Sequence, residues 1–206
     1  MTENLLWALL LSWGAGINLY LTLLLAGVAA RTHWLSVPAS LDFLSTNWAL
    51  AVAGALFLVE FVADKIPYVD TFWDSIQTFI RVPAGILLAF GAAHELPAQT
   101  ALLVTVAGGV VCFGNHGAKS TVRLALNSAP EPFTNWFVSL AEDAMVVLGY
   151  SLLQRHPRIL LGLLIATTVA AWLIVCTLVG IFKRLFRFPR PAELRSNGSK
   201  ARKNIE

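Results

Sequence analysis

The sequence has little of what a soluble protein of this size normally carries. Only 13% of its 206 residues are charged and 57% are hydrophobic, whereas about a quarter of a soluble domain is charged. The two cysteines, Cys112 and Cys176, both lie inside apolar runs, which argues against a disulfide framework and predicts two buried free thiols. The N-terminus lacks the basic segment of a secretory signal, so we expect the first apolar run to be retained. The composition therefore indicates a protein that crosses a membrane several times.

Six segments are apolar enough to be membrane spans. They cover residues 5–30, 47–63, 82–94, 100–114, 133–153 and 159–182. The third and fourth are short, and either could be re-entrant; the third could also begin earlier, within the amphipathic segment 66–81. The predicted fold class is an all-α membrane bundle of about six spans. We expect one transmembrane domain over residues 1–188 and a basic, disordered tail over 189–206.

The orientation follows from the positions of the basic residues. Eight of the fifteen Lys and Arg residues lie at or after Lys183. Positively charged segments next to a span stay in the cytoplasm, so the C-terminus is predicted to be cytoplasmic. With six crossings, the N-terminus would be cytoplasmic as well.

The two halves of the chain share a short motif. Thr46-Asn47-Trp48 opens the second span, and Thr134-Asn135-Trp136 opens the fifth. Halves 5–98 and 100–183 would each contain three spans, and since three is odd they would insert in opposite orientations. Inverted repeats of this kind are typical of secondary transporters, although a chance match of three residues would look the same.

Charged residues begin near the end of the second span: Glu60, Asp64, Lys65, Asp70 and Asp74. Glu60 and Asp64 share one helical face, as do Asp70 and Asp74. Pro67 is expected to break the helix between the two acidic pairs. The segment 66–81 has the apolar stripe of an amphipathic helix. It could lie on the membrane surface with its acids in water, or fold into the protein and pair its acids with basic residues, which would be Lys65, Lys119, Arg123 or Arg81. We favour the second alternative, because anionic lipid would repel an acidic polar face.

A second polar group lies in the other half: Lys119, Arg123, Asn127, Glu131, Asn135, Ser139, Glu142 and Asp143. The last four form one stripe on an otherwise apolar helix. Glu142 and Asp143 could neutralise Lys119 and Arg123, or face a wet cavity where carboxylates carry protons or bind cations.

Two structural expectations follow from these groups. Because an unpaired acid is costly at membrane depth, Glu60 and Asp64 should approach Lys119 or Arg123. The stripe of Asn135, Ser139, Glu142 and Asp143 should line a polar cavity that reaches the membrane midplane.

These charged segments resemble a known family. The blocks Glu60-Phe-Val-Ala-Asp64-Lys65-Ile-Pro67 and Ser139-Leu-Ala-Glu142-Asp143 are similar to the signature of a bacterial membrane family known as domain of unknown function 4126. The resemblance implies a multi-pass protein of the bacterial inner membrane, and it implies no activity.

Three function classes fit the sequence. The first, which we favour, is a transporter or channel for an ion or small solute, with the charged residues of both groups as its binding site. The second is an enzyme that acts on a lipid phosphate, in which Asp70, Asp74, Glu60 and Asp64 would hold Mg²⁺. The third is a scaffold whose basic tail binds anionic lipid.

The expected partners are membrane lipids and the transported ion or solute, without nucleic acid. The sequence leaves open whether the protein is a homo-oligomer and whether it binds a cofactor or a metal.

Overall fold

A computed structural model describes residues 2–127 and 132–185, and all regular structure in this part is helical. Six α-helices follow one another: α1 Thr2–Thr32, α2 Asn47–Ala63, α3 Val69–Ala93, α4 Ala98–Leu126, α5 Pro132–Arg155 and α6 Pro157–Leu185. A short 3₁₀ helix, Ala39–Ser45, precedes α2. Residues up to Val175 form one compact unit, and Cys176 begins a second.

The helices are those of a polytopic membrane protein, as predicted. In the described residues, α1, α3, α4, α5 and α6 are each long and apolar enough to cross a membrane, and α2 with its preceding 3₁₀ helix is a sixth candidate, bent by 70°. The expectation of short third and fourth spans is wrong, because α3 and α4 have 25 and 29 residues. The charged residues that interrupt the hydropathy of these spans lie on their buried faces.

Helix α1 reverses direction at Asn18, whose φ of −144° and ψ of 99° are not helical. A side chain at Gly14 would meet Thr22, because a Cβ there would lie 2.5 Å from Thr22 Oγ1. Trp7 Nε1 donates to the Ser36 carbonyl at 2.8 Å. In a straight helix Trp7 and Thr32 would lie about 37 Å apart, and four more residues reach back only about 14 Å. The two halves of α1 therefore run antiparallel, as a helical hairpin.

Both ends of this hairpin lie at one end of the bundle. Asn4 near the start of α1 donates to Glu95 after α3, at 3.0 Å, and Ser40 after α1 donates to the Gly91 carbonyl at 2.7 Å. We call this end the N-terminal face, and the end that holds the turn 64–68 the opposite face. Helix α1 thus enters from the N-terminal face and returns to it, so the re-entrant segment is the first one and not the third or fourth.

The hairpin occupies the centre of the compact unit. In the most apolar window of each helix, 78% of the residues of α1 are buried, against 17% for α6. Trp7, Trp13 and Tyr150 are among the largest fully buried side chains. Cys112 is buried as expected, whereas Cys176 is exposed, so the prediction of a second buried thiol is wrong.

Helix α3 turns its polar face inward. Asp70, Asp74, Gln77 and Arg81 are all buried, while Phe72 and Phe79 on the other face are exposed. This is the reverse of a helix in a soluble protein and suits a helix that has lipid on its outer side. The amphipathic segment 66–81 is therefore the first part of a long helix, and the alternative of a surface helix with its acids in water is wrong.

Candidate functional site

Ionisable side chains from four helices and one turn meet around the tip of α1. The group contains six carboxylates, Glu60, Asp64, Asp70, Asp74, Glu142 and Asp143, and four basic side chains, Lys65, Arg81, Lys119 and Arg123. We call it the charge network. It joins α2, α3, α4 and α5 to the point where α1 reverses.

The carbonyl of Ile17 is the acceptor at this point. Lys119 Nζ donates to it at 3.1 Å and Arg81 Nη1 at 2.9 Å. In a continuous helix this carbonyl would accept from the amide four residues later, but the chain leaves the helix at Asn18. The last carbonyls of a helix carry partial negative charge, so two cations at Ile17 are favourably placed.

Asn18 begins the second half of α1. Its Oδ1 accepts from the Leu21 amide at 2.9 Å, which is a helix N-cap. Its Nδ2 donates to Asp143 Oδ1 at 2.9 Å. One side chain therefore caps the returning half-helix and connects it to α5.

Lys119 and Arg123 lie between the acids of α2 and α5. Lys119 Nζ is 2.8 Å from Asp64 Oδ2, 3.2 Å from Glu60 Oε1 and 3.5 Å from Glu142 Oε2. Arg123 Nη2 is 2.8 Å from Glu142 Oε2 and 3.3 Å from Asp64 Oδ2. The expected approach of Glu60 and Asp64 to these bases is confirmed. Of the two acids of α5 that could neutralise the bases, Glu142 forms ion pairs with both, whereas Asp143 accepts from Asn18.

Asp70 extends the network toward the opposite face. Its Oδ1 accepts from Asn127 Nδ2 at 2.7 Å, its Oδ2 accepts from Asn135 Nδ2 at 3.3 Å, and Arg123 Nη1 lies 3.7 Å from it. Asn135 also donates to Asn127 Oδ1 at 3.1 Å. These contacts tie α3, α4 and α5 together.

Lys65 and Ser139 lie at the edge of the network. Lys65 Nζ donates to the Phe61 carbonyl at 2.9 Å and lies 3.5 Å from Ser139 Oγ. Ser139 is buried and Lys65 is half-buried. Lys65 is therefore the most exposed of the four basic side chains of the network.

The Asp74 carboxylate is close to a base but accepts no hydrogen bond from the described residues. Arg81 Nη2 lies 3.8 Å from Asp74 Oδ1, and the same nitrogen donates to Glu60 Oε1. Neither carboxylate oxygen of Asp74 has a hydrogen-bond partner among the described residues, and Glu60 Oε2 and Asp64 Oδ1 have none either. Among residues 2–127 and 132–185, the network therefore holds two more acids than bases, and several of its buried acceptor atoms have no hydrogen-bond partner.

A cavity of about 320 Å³ opens beside the network, between the tip of α1 and helices α4, α5 and α6. Among the described residues that line it, only Lys119 and Glu142 are charged, and most of the wall is apolar. The predicted polar cavity is therefore wrong in its composition. Of the four stripe residues only Glu142 lines it, because Asn135 and Ser139 point into the network and Asp143 pairs with Asn18.

The acids do not form a metal site. In residues 2–127 and 132–185 no group of three or more His, Cys, Asp or Glu side chains is arranged to hold a metal ion. Glu60, Asp64 and Asp70 face arginine and lysine, which gives the Mg²⁺ alternative no structural support. Glu131, another predicted site residue, lies outside the described residues.

Sequence reasoning missed Asn18 and placed Arg81 only among the pairing partners. A signal for Asn18 was present, since it is the one strongly polar residue of the apolar run after Gly14-Ala15-Gly16. Small residues allow helices to approach closely, and an amide at such a position marks a place where backbone groups need a partner.

The fold and the site define a polytopic helical membrane protein with a re-entrant hairpin and a buried charge network. The chain belongs to the family described as Domain of unknown function (DUF4126), which matches residues 5–177. No curated protein matches the chain, and no solved structure does.

Proposed function

We propose that this protein is a small transporter for an ion or small solute. The observation that supports this is the break in α1, where the Ile17 carbonyl accepts from Arg81 and Lys119 instead of from its own helix, and where the Asn18 side chain bonds to Asp143. Transporters bind substrates and coupling ions near the membrane midplane, at helices interrupted in this way. A structural role alone would be served as well by apolar packing, since buried ion pairs are often no better than hydrophobic residues.

The excess of acids gives the proposal a mechanism. The described residues of the network contribute six carboxylates and four bases, so with its acids ionised the network attracts a proton or another cation that enters. Neutralising an acid loosens its hold on Lys119 or Arg81, the two bases that hold the Ile17 carbonyl. The tip of α1 is then freed relative to α3 and α4, and a bound cation biases one arrangement of the helices against the other.

The membrane in which the protein lies and the orientation of its termini are part of the same proposal. The basic tail after Lys183 supports a cytoplasmic C-terminus in a bacterial inner membrane. Since both ends of α1 lie at the N-terminal face, the crossings are α2 to α6 and their number is odd. We therefore place the N-terminus on the side of the membrane opposite to the turn 64–68, and not on the same side as the C-terminus. The inverted repeat stays a prediction: Asn47 is exposed, whereas Asn135 is buried.

Ion flux into proteoliposomes tests the proposal. Purified protein is reconstituted, and gradients of H⁺, Na⁺ and K⁺ are applied separately. Glu142→Gln keeps the shape and hydrogen bonding of Glu142 but removes its charge, so we expect it to abolish flux while the protein stays folded. Glu95→Gln is the matched control, because Glu95 is exposed at the N-terminal face. If Glu142→Gln and Asp143→Asn both unfold the protein and no ion changes its melting temperature, the acids are structural and the proposal is wrong.

A further inference from the structure

The cavity beside the network combines an apolar wall with one accessible acid. Glu142 is 13% exposed, whereas the Lys119 side chain is 3% exposed and lies within reach of three carboxylates. A molecule in the cavity therefore meets a carboxylate as its most accessible charge. Phe137 and Met145 belong to the rest of the wall, and both side chains are apolar.

The charges around the cavity also favour a positively charged ligand. With Glu142 included, the described residues of the network hold six carboxylates and four bases, so its net field attracts positive charge when the acids are ionised. An anion would have to displace one of the acids that already surround Lys119. A small inorganic cation would gain the carboxylate but leave the apolar wall unused. An organic cation uses both features.

We infer that the cavity binds a hydrophobic organic cation, with its positive charge at Glu142 and its apolar body between α4, α5 and α6. This inference rests on the proposed function and names the class of substrate. The aromatic ring of Phe137 adds a favourable contact for a cation. Binding replaces part of the Arg123–Glu142 ion pair, whose Nη2–Oε2 distance is 2.8 Å, so the ligand acts directly on the network that holds the tip of α1.

Equilibrium dialysis of the purified protein with radiolabelled methyltriphenylphosphonium tests the inference, with empty detergent micelles as the blank. We expect saturable binding that unlabelled methyltriphenylphosphonium displaces and the neutral isostere methyltriphenylsilane does not. Glu142→Gln should weaken binding by about tenfold or more, because the one accessible counter-charge is lost. Glu95→Gln removes an acid at the N-terminal face and should leave binding unchanged.

A second pair of variants tests the cavity without touching a charge. Ala141 and Ala144 are both exposed alanines of α5, and only Ala141 lines the cavity. Ala141→Phe should abolish saturable binding because it fills the space, and Ala144→Phe should not. Equal binding by these two variants, or displacement by the silane as strong as by the cation, would overturn the inference.

The flux and binding experiments together distinguish a failure of this inference from a failure of the proposed function. Flux of H⁺, Na⁺ or K⁺ that depends on Glu142, in a protein that does not bind the phosphonium, refutes the organic cation and leaves transport standing. Saturable phosphonium binding without flux of any cation, the phosphonium included, confirms the site and refutes transport.

Discussion

Gly14 and Thr22 lie against each other although eight residues separate them, since a Cβ on Gly14 would lie 2.5 Å from Thr22 Oγ1. In a continuous helix these positions are about 12 Å apart along the axis. Their contact shows how closely the two halves of α1 pack, and it makes Gly14 a position where only a hydrogen atom fits.

A larger residue at Gly14 should therefore destabilise the hairpin. We expect Gly14→Leu to lower the melting temperature of the purified protein, because overpacking a tight contact costs about 1–3 kcal/mol. Gly162→Leu is the matched control, since a Cβ added at Gly162 has no neighbour within 4 Å in the described part of the chain apart from its own stretch of helix backbone. Equal melting temperatures for the two variants would contradict the close packing of the two halves.

Exchanging the amide of Asn18 and the carboxylate of Asp143 should reveal how strongly these two side chains are coupled. Asn18→Asp keeps a capping oxygen for Leu21 but places a carboxylate against Asp143, so it should destabilise the protein. Adding Asp143→Asn restores an amide and a carboxylate in exchanged positions and should recover part of the loss. A double-mutant cycle measured by thermal unfolding gives the coupling, which we expect to be about 0.5–3 kcal/mol; additive effects would mean that the 2.9 Å hydrogen bond contributes nothing.

Removing the charge of Lys119 should destabilise the protein more than removing the charge of Lys65. Lys119→Met leaves Glu60, Asp64 and Glu142 without one of their bases, and breaking a buried ion pair costs about 3–5 kcal/mol. Lys65→Met is the control, because Lys65 is half-buried at the edge of the network. Folded yield after detergent extraction and the melting temperature are the measurements. If both variants lose the same stability, the ion pairs of Lys119 do not support the fold.

Single cysteines should report the re-entrant path of α1. In a background with Cys112 and Cys176 replaced, Thr2→Cys, Asp42→Cys and Ile66→Cys each place a thiol at an exposed position. A membrane-impermeant maleimide added to one side of sealed vesicles should label the first two together and Ile66→Cys only from the other side. Labelling of Thr2→Cys and Asp42→Cys from opposite sides would show that α1 crosses the membrane.

The sequence was a better guide to which residues contact each other than to the path of the chain. Helix α2 has its predicted bounds, residues 47–63, because Thr46 caps it and Pro67 follows its end. The pairing of Glu60 and Asp64 with Lys119 followed from the cost of an unpaired acid in a membrane. The reversal at Asn18 did not, because a hydropathy profile records how apolar residues 5–30 are but not whether their helix turns back.

The prediction of a polar cavity is wrong because the neighbours of α5 differ along one face. Asn135, Ser139, Glu142 and Asp143 share one face of α5, as the spacing indicates, but that face divides among different neighbours. Asn135 contacts Asp70, Asp143 contacts Asn18, and Glu142 contacts Arg123. Spacing along one helix defines a face, whereas the residues that face it depend on the packing of the other helices.

The inward polar face of α3 has a consequence for biosynthesis. An isolated segment that carries Asp70, Asp74 and Arg81 would enter lipid at a cost of about 2.5–3.5 kcal/mol for each charge at the centre of the bilayer. Its counter-charges arrive on α2 before it and on α4 after it. Helix α3 therefore depends on its neighbours for stable integration, and a defect in Glu60 or Arg123 should appear as failed membrane insertion and degradation of the nascent chain before it appears as altered activity.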